Sequence, residues 1–163
     1  MKRLFVAIEL PDSIKDKLTT VEKELKAELN GNFVDREKLH ITFLFLGDTT
    51  ISTENIISSI KSISIRELRI EISGLGVFPS LKRPRVIFAN VVTDLREQYN
   101  SLCNSLGLKP EGSFSPHITL CRLQGKSDNI KSIIDNYANI NLTFSQEKLA
   151  LFNSDFRNYY KIY

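Results

Sequence analysis

One tripeptide, His-Ile-Thr, occurs twice in this sequence and contains its only two histidines, His40 and His117. Each copy opens a short run rich in branched and aromatic residues, which is typical of a β-strand. Side chains two positions apart in a strand project from the same face, so each histidine shares a face with the following threonine, Thr42 or Thr119. The pattern predicts one site with two matching halves, and the fold must bring two distant strands together to form it.

The order of predicted elements also repeats, because a helix precedes and follows each motif strand. The chain reads β-α-β-α-β and then β-α-β-α-β-β, with the two histidines 77 positions apart. We therefore predict an α+β fold with two similar lobes related by a pseudo-two-fold axis. Flanking helices would surround a central cleft lined by the two His-x-Thr motifs. A length of 163 residues fits one such two-lobed domain, 1–163.

Hydrophobic spacing and turn residues predict the individual elements. Apolar residues three and four positions apart indicate a first helix from Pro11 to about Leu29, with Gly31 as its C-terminal cap. Ser52 or Thr53 is predicted to cap the second helix. Four further features are a strand with a glycine bulge, two helices and a C-terminal hairpin. The strand covers 68–77 and contains Gly74 and Gly76. The two helices cover 95–107 and 127–137, and the hairpin covers 140–163 with its turn at 153–157.

The composition is that of an ordinary soluble protein. Apolar residues make up 42% of the chain and charged residues 25%, and a net charge of +3 permits an anionic ligand without indicating a long nucleic-acid track. Cys103 and Cys121 are isolated, as is typical of a reduced compartment. The apolar run near Met1 is too short for a signal peptide, and no run is long enough for a membrane span. We expect a cytoplasmic monomer.

Two histidines facing one cleft supply the groups that general acid–base catalysis needs. Near neutral pH one ring can be neutral and the other protonated, so one removes a proton from a nucleophile while the other protonates a leaving oxygen. The threonine hydroxyls are suited to the two non-bridging oxygens of a phosphodiester. The residues alone leave three alternatives open: a zinc site with further ligands, nucleophilic catalysis by Cys121, or histidines that only pack. Because both histidines lie in the same motif, we favour acid–base catalysis.

The two motifs and their surroundings closely resemble the paired signatures of the two-histidine phosphoesterases. The nearer match is the LigT-like family, also called 2′-5′ RNA ligases or RNA 2′,3′-cyclic phosphodiesterases. The resemblance covers nearly the whole chain. Its matching stretches are His40–Gly47, Pro116–Arg122, Arg3–Ile8 with Pro11, Gly74–Pro79 with Pro84 and Arg85, and Leu151–Ser154.

The resemblance implies antiparallel sheets, no metal or other cofactor, and hydrolysis of a terminal 2′,3′-cyclic phosphate on RNA to a 2′-phosphomonoester. Carried over to this chain, His40 would protonate the leaving O3′ and His117 would activate water. Thr42, Thr119 and Arg122 would bind the phosphate. Transfer-RNA fragments, other RNA ends and small cyclic nucleotides all present such a phosphate. Two other functions stay open: an RNA ligase that forms 2′-5′ linkages, and a non-catalytic module that binds RNA ends.

Two positions in the motif strands depart from the family pattern or from its expected geometry. Leu44 stands where many relatives carry a basic residue. Strict alternation places Cys121 on the face of His117 and Arg122 on the opposite face. A phosphate-binding role for Arg122 therefore requires a bulge or a strand end at this point.

Other residues outside the motifs are weaker candidates for binding RNA. Lys82, Arg83 and Arg85 form a basic cluster that could follow an RNA backbone or could be a solvated loop. Phe45 or Phe114 could stack on a base or could pack in the core. We expect the solvated loop for the cluster, and core packing for both phenylalanines.

Overall fold

The computed structural model describes residues 3–155 and 158–163, which contain nine strands and four α-helices. The strands are β1 (Arg3–Glu9), β2 (Gly31–Phe33), β3 (His40–Gly47), β4 (Arg69–Phe78), β5 (Val86–Val91), β6 (His117–Leu123), β7 (Asn141–Ser145), β8 (Ala150–Ser154) and β9 (Tyr159–Lys161). The helices are α1 (Asp12–Lys26), α2 (Thr53–Ser62), α3 (Arg96–Ser105) and α4 (Ile130–Asp135). None of these helices is long and apolar enough to cross a membrane.

The strands form two sheets in which every pair of neighbours is antiparallel. One sheet has the order β3-β1-β8-β9 and the other has the order β2-β6-β5-β4-β7. The first sheet therefore includes two strands from the C-terminal part of the chain, and the second includes two from the N-terminal part. The motif strands β3 and β6 belong to different sheets and contact each other where the sheets meet. The structure confirms the predicted α+β class with antiparallel sheets.

A continuous apolar core supports both sheets and so fixes the positions of the motif strands. β1 is buried along nearly its whole length, from Leu4 to Ile8, because both of its faces are covered. Helix α1 adds one apolar face with the spacing predicted from the sequence. Its buried apolar residues are Ile14, Leu18, Val21 and Leu25. Burial of apolar surface is the main stabilising contribution to folding, so these contacts hold the site's framework.

Two local predictions are confirmed. Ser52 caps α2, and its Oγ accepts a hydrogen bond from the Asn55 amide at 3.2 Å. Strand β4 is interrupted at Gly74, where φ is +68°, and its register against β5 shifts between Ile72 and Leu75. Glycine adopts this left-handed conformation without steric cost, which explains its position at the bulge.

The prediction for the end of α1 was wrong. The helix ends at Lys26 rather than near Leu29, and Gly31 opens β2 instead of capping the helix. A Cβ atom at Gly31 would lie 2.6 Å from the Cys121 Sγ and 2.6 Å from the Arg122 carbonyl oxygen. Glycine is therefore needed here because β2 approaches β6 closely, beside the second motif.

The C-terminal part also differs from the sequence prediction. Helix α4 is shorter than the predicted 127–137. The predicted single strand over 140–152 is two strands in different sheets, since β7 pairs with β4 and β8 pairs with β1. The hairpin itself is confirmed as β8 and β9, while Phe156 and Arg157 of its predicted turn lie outside the described residues.

Glu22 is an ionisable residue buried in the apolar face of α1. Its side chain is 3% exposed, and among the described residues its Oε1 atom has no hydrogen-bond partner. Burial raises the pKa of Glu22 to about 7, against an opposing effect of Lys26 one helical turn away and with a small contribution from Asp35. The folded protein thus keeps this carboxyl protonated at pH values where the unfolded chain ionises it.

Glu22→Gln is expected to stabilise the protein at alkaline pH. The folded pKa lies above the ordinary value of 4.5, so stability falls as the pH rises through the window from 4.5 to about 7. Glutamine does not ionise, so the variant should gain about 1–3 kcal/mol of unfolding free energy above this window and little below it. Urea unfolding on both sides of the window measures the gain. The exposed Glu67→Gln is the control, and an equal gain at both pH values would contradict the raised pKa.

Candidate active site

His40 is the first residue of β3, and two hydrogen bonds orient its ring. Its Nδ1 lies 2.7 Å from the Lys38 carbonyl oxygen, and its Nε2 lies 3.0 Å from the Thr42 Oγ1. Because a carbonyl oxygen only accepts, Nδ1 carries a hydrogen and donates it. The neutral ring then has its lone pair on Nε2, beside the hydroxyl of the threonine on the same strand face.

His117 opens β6 in the same way. Its Nδ1 lies 2.8 Å from the carbonyl oxygen of Ser115, again two residues earlier in the chain. This hydrogen bond likewise assigns the hydrogen to Nδ1 and leaves Nε2 as the nitrogen available for proton transfer. The two motifs therefore share a backbone arrangement as well as a tripeptide.

Each motif strand contains a bulge immediately after its threonine. The register of β3 against β1 shifts by one residue between Thr42 and Leu44, and the register of β6 against β5 shifts between Thr119 and Cys121. An extra residue in a strand reverses the alternation of the side chains that follow it. In both strands two successive residues are consequently buried, and the next one returns to the exposed side.

The bulge in β6 corrects the faces expected from strict alternation. Cys121 is fully buried rather than on the face of His117, and Arg122 is exposed and lines the same pocket as His117. Leu44 is the buried counterpart of Cys121 and does not line the pocket. Phe45 is the counterpart of Arg122, and its 64% exposed side chain also lines the pocket, against the expectation of core packing.

These residues meet in a pocket of about 350 Å³ between the two sheets. β3 contributes His40 and Thr42, and β6 contributes His117, Thr119 and Arg122, so the structure brings all five predicted site residues together. Four of the remaining lining residues belong to strands of the first sheet, and the other two lie in the segment between β2 and β3. They are Phe5, Val34, Lys38, Phe45, Ser154 and Tyr159.

Aromatic packing and burial set the properties of the His40 ring. Its centroid lies 5.1 Å from that of Phe5 and 5.4 Å from that of Tyr159, which meets it edge-on. Burial lowers the pKa of His40 below its ordinary 6.5; the hydrogen bond to the Lys38 carbonyl opposes this, and the nearby His117 adds to it. Most His40 rings are therefore neutral near pH 7 in the free protein.

Two phenylalanines hold the His117 ring from the second sheet. Its centroid lies 5.0 Å from that of Phe78 and 5.1 Å from that of Phe88, and both contacts are close to edge-on. Phe88 lies on β5 beside its motif strand, as Phe5 lies on β1 beside the other. The pseudo-two-fold relation thus extends from the tripeptides to the aromatic residues that restrict ring rotation.

The structure also bears on the alternative chemistries. Burial raises the pKa of the Cys121 thiol to about 11, which opposes its use as a nucleophile. Within residues 3–155 and 158–163, no three His, Cys, Asp or Glu side chains are grouped closely enough to hold a metal ion. Phe114 stacks on Tyr99 with 4.0 Å between ring centroids, so this phenylalanine packs against the core as expected.

Comparison with known proteins extends the resemblance beyond the motifs. A family model for LigT-like phosphoesterases matches residues 8–88 and again residues 88–159. The chain belongs to the LigT-like phosphoesterase family. The two matches divide this phosphoesterase at its middle, with one His-x-Thr motif in each part.

Two relatives agree with this family assignment, and a solved structure shares the fold. An RNA 2′,3′-cyclic phosphodiesterase from Aquifex aeolicus is 30% identical over 174 residues, covering 99% of this chain and 93% of the relative. Another RNA 2′,3′-cyclic phosphodiesterase, from Archaeoglobus fulgidus, is 30% identical over 142 residues, covering 83% of this chain and 81% of the relative. The structure of E. coli LigT complexed with 3′-AMP matches the fold with a TM-score of 0.74 and 21% identity, covering 99% of this chain and 95% of the other.

Sequence reasoning missed several pocket residues of this LigT-like phosphoesterase. Tyr159 reaches His40 only through the order of strands in the first sheet, which has no local signal. Lys38 supplies the carbonyl that orients His40, and its ammonium lies 3.3 Å from a carboxylate oxygen of the neighbouring Asp35. Phe5 and Ser154 could have been found, because each lies in a stretch that resembles the family.

Proposed function

We propose that this phosphoesterase hydrolyses a terminal 2′,3′-cyclic phosphate on RNA to a 2′-phosphomonoester. The observation that carries the proposal is the symmetric presentation of two Nε2 atoms in one pocket, each opposite a carbonyl-bonded Nδ1. One ring on each side of a phosphorus atom suits in-line displacement, in which nucleophile and leaving group need opposite proton transfers. The names of the relatives supply the substrate class.

In the proposed reaction water attacks phosphorus and the bond from phosphorus to O3′ breaks. His117 Nε2 accepts a proton from the water, and His40 Nε2 donates a proton to O3′. The products are a 2′-phosphate and a free 3′-hydroxyl, with one water consumed. Both proton transfers are assigned to imidazoles, so the scheme needs no metal ion.

Three further residues would hold the phosphate. Thr42 and Thr119 line the pocket from two different sheets, on β3 and β6, which suits the two non-bridging oxygens. Arg122 would add positive charge, and hydrogen bonds from a guanidinium to phosphate are among the stronger ones.

The lowered pKa of His40 fits the acid role once substrate is bound. An acid must carry a proton, and burial disfavours the charged ring in the free protein. The negative charge of a bound phosphodiester favours the imidazolium and raises the pKa of His40. Substrate binding would thus load the acid with the proton that it transfers.

Product analysis tests the proposal and separates it from ligation. RNA with a cyclic phosphate end is incubated alone and with an acceptor that carries a 5′-hydroxyl, and products are identified by mass and phosphate position. We expect the mass of one added water, a 2′-phosphate, and equal rates with and without a chelator. A mostly joined product would support a 2′-5′ ligase instead. Tight binding without turnover, largely intact in His40→Ala, would support a non-catalytic binding module.

A further inference from the structure

A second groove adjoins the pocket at its Arg122 side. Its volume is about 960 Å³, and five cationic side chains line it: Lys82, Arg83, Arg85, Arg122 and Lys126. We call this feature the basic groove. Asp128 is the one acidic residue among the described residues of its lining.

The basic groove concentrates the positive charge of the protein. The described lining of the groove contains five of the 22 basic residues of the chain and one of its 19 acidic residues. The charges of the remaining 17 basic and 18 acidic residues nearly cancel. Within the described part of the chain, none of the five cationic side chains forms an ion pair or a hydrogen bond, whereas Arg36 and Lys161 elsewhere are paired. Unpaired cations around one concave surface form a site for a polyanion.

Arg122 joins the groove to the pocket. Its side chain lines both cavities, on the same strand as His117 and Thr119. Three strand positions separate Thr119 from Arg122, about 10 Å at the usual rise per residue and less across the bulge. A chain bound in the groove can therefore continue into the pocket without a gap.

We propose that the basic groove binds the sugar–phosphate backbone of the nucleotides on the 5′ side of the cyclic phosphate. This inference rests on the proposed function. A terminal 2′,3′-cyclic phosphate lies at the 3′ end of an RNA, so the strand can leave the pocket only in the 5′ direction. The phosphates would meet Arg122 first and the other four cations afterwards. The preferred substrate class is then an RNA strand, and a cyclic mononucleotide is a poor substitute.

The test compares substrate lengths in matched variants. Cyclic adenosine 2′,3′-monophosphate and oligoribonucleotides of increasing length with the same end are assayed with wild type and with Lys82→Ala/Arg83→Ala/Lys126→Ala. The control, Lys17→Ala/Lys23→Ala/Arg66→Ala, removes the same charge from exposed positions outside the groove. We expect kcat/KM to rise with length and then level off in wild type and control. In the groove variant the ratio of kcat/KM for a long substrate to that for the mononucleotide should fall about 10-fold or more. The slope of log kcat/KM against log salt concentration should become less steep by about 2.

The outcomes separate the groove from the chemistry. Two outcomes would overturn the inference and leave the proposed function intact. In the first, wild type hydrolyses the mononucleotide with the same kcat/KM as longer substrates. In the second, kcat/KM rises with substrate length as much in the groove variant as in wild type. If no cyclic substrate is hydrolysed, the proposed function fails. Binding of a 3′-phosphorylated oligoribonucleotide, followed by fluorescence anisotropy, then decides: weaker binding by the groove variant than by the control supports the groove, and equal binding overturns it. Equal competition by a poly-glutamate peptide of matched charge would also overturn it, in favour of an acidic protein partner.

Discussion

Alanine in place of either pocket histidine is expected to lower kcat/KM for RNA with a cyclic phosphate end by about 10²–10⁴-fold. Each ring is assigned one of the two proton transfers, and the chain has no third histidine to replace it. The loss should appear in kcat as well as in kcat/KM, because the interaction that is removed forms in the transition state. Steady-state assays of both variants measure it.

The double variant His40→Ala/His117→Ala tests whether the two rings act in one step. The effects of removing groups that act together are far from additive, so kcat/KM of the double variant should be little lower than that of the less active single variant. Losses that multiply would mean two independent contributions and would contradict the concerted scheme.

Controls must separate lost chemistry from altered structure, since both rings pack against aromatic residues. His40→Gln and His117→Gln keep a polar side chain but cannot act as acid or base near neutral pH, and should be as inactive as the alanine variants. Tyr160→Ala removes an exposed aromatic residue next to Tyr159 that does not line the pocket, and should retain activity. Urea unfolding of each variant checks that the fold is kept.

The motif strands could be predicted because their signal is local. Each histidine and its threonine lie two positions apart on one face, and this needs no knowledge of the partner strand. That the strands should meet followed from the repeat of the tripeptide, and the pocket does contain His40, Thr42, His117 and Thr119. The family was also predicted from these residues and is confirmed by the family model.

The bulges could not be predicted with the same rule. Both motifs continue with two successive apolar residues, Phe43-Leu44 and Leu120-Cys121, and strict alternation turns one residue of each pair towards the site. The bulges become visible only in the register against β1 and β5 and in the burial of both residues of each pair. The role suggested for Arg122 depended on this bulge.

Errors at the helix ends and in the pocket lining have a related cause. Leu29 is buried with the spacing of α1, and its amide still donates a hydrogen bond to the Leu25 carbonyl oxygen at 2.9 Å although the helix ends at Lys26. The apolar pattern therefore includes the turn that follows the helix. Tyr159 reaches His40 because β9 pairs with β8 and β8 with β1. Such contacts depend on sheet order, which hydrophobic patterning does not specify.

The division of labour between the histidines can be tested with a leaving group that needs no proton. A p-nitrophenyl phosphodiester releases a stabilised phenolate, so a general acid contributes little to its cleavage. On this substrate His40→Ala should recover much of its activity relative to wild type. His117→Ala should remain impaired by about 10²–10⁴-fold, because water must still be deprotonated.

The pH dependence of the wild-type enzyme provides an independent measure of the same division. On RNA, activity requires one ring neutral and the other protonated, so kcat/KM should be bell-shaped. On the p-nitrophenyl substrate only the neutral base is required. The decline at alkaline pH should therefore disappear, leaving a single rise to a plateau. His40→Ala should show that same single rise on the p-nitrophenyl substrate.

The recovery must be specific to His40 for the assignment to hold. Recovery by His117→Ala instead would reverse the two roles. This alternative has a physical basis, because burial lowers the pKa of His40 in the free protein and so favours the neutral ring that a base requires. Recovery by neither variant would mean that both rings stabilise the transition state without transferring protons. Since both variants are compared on one pair of substrates, a general loss of folding would lower both activities together and leave their ratio unchanged.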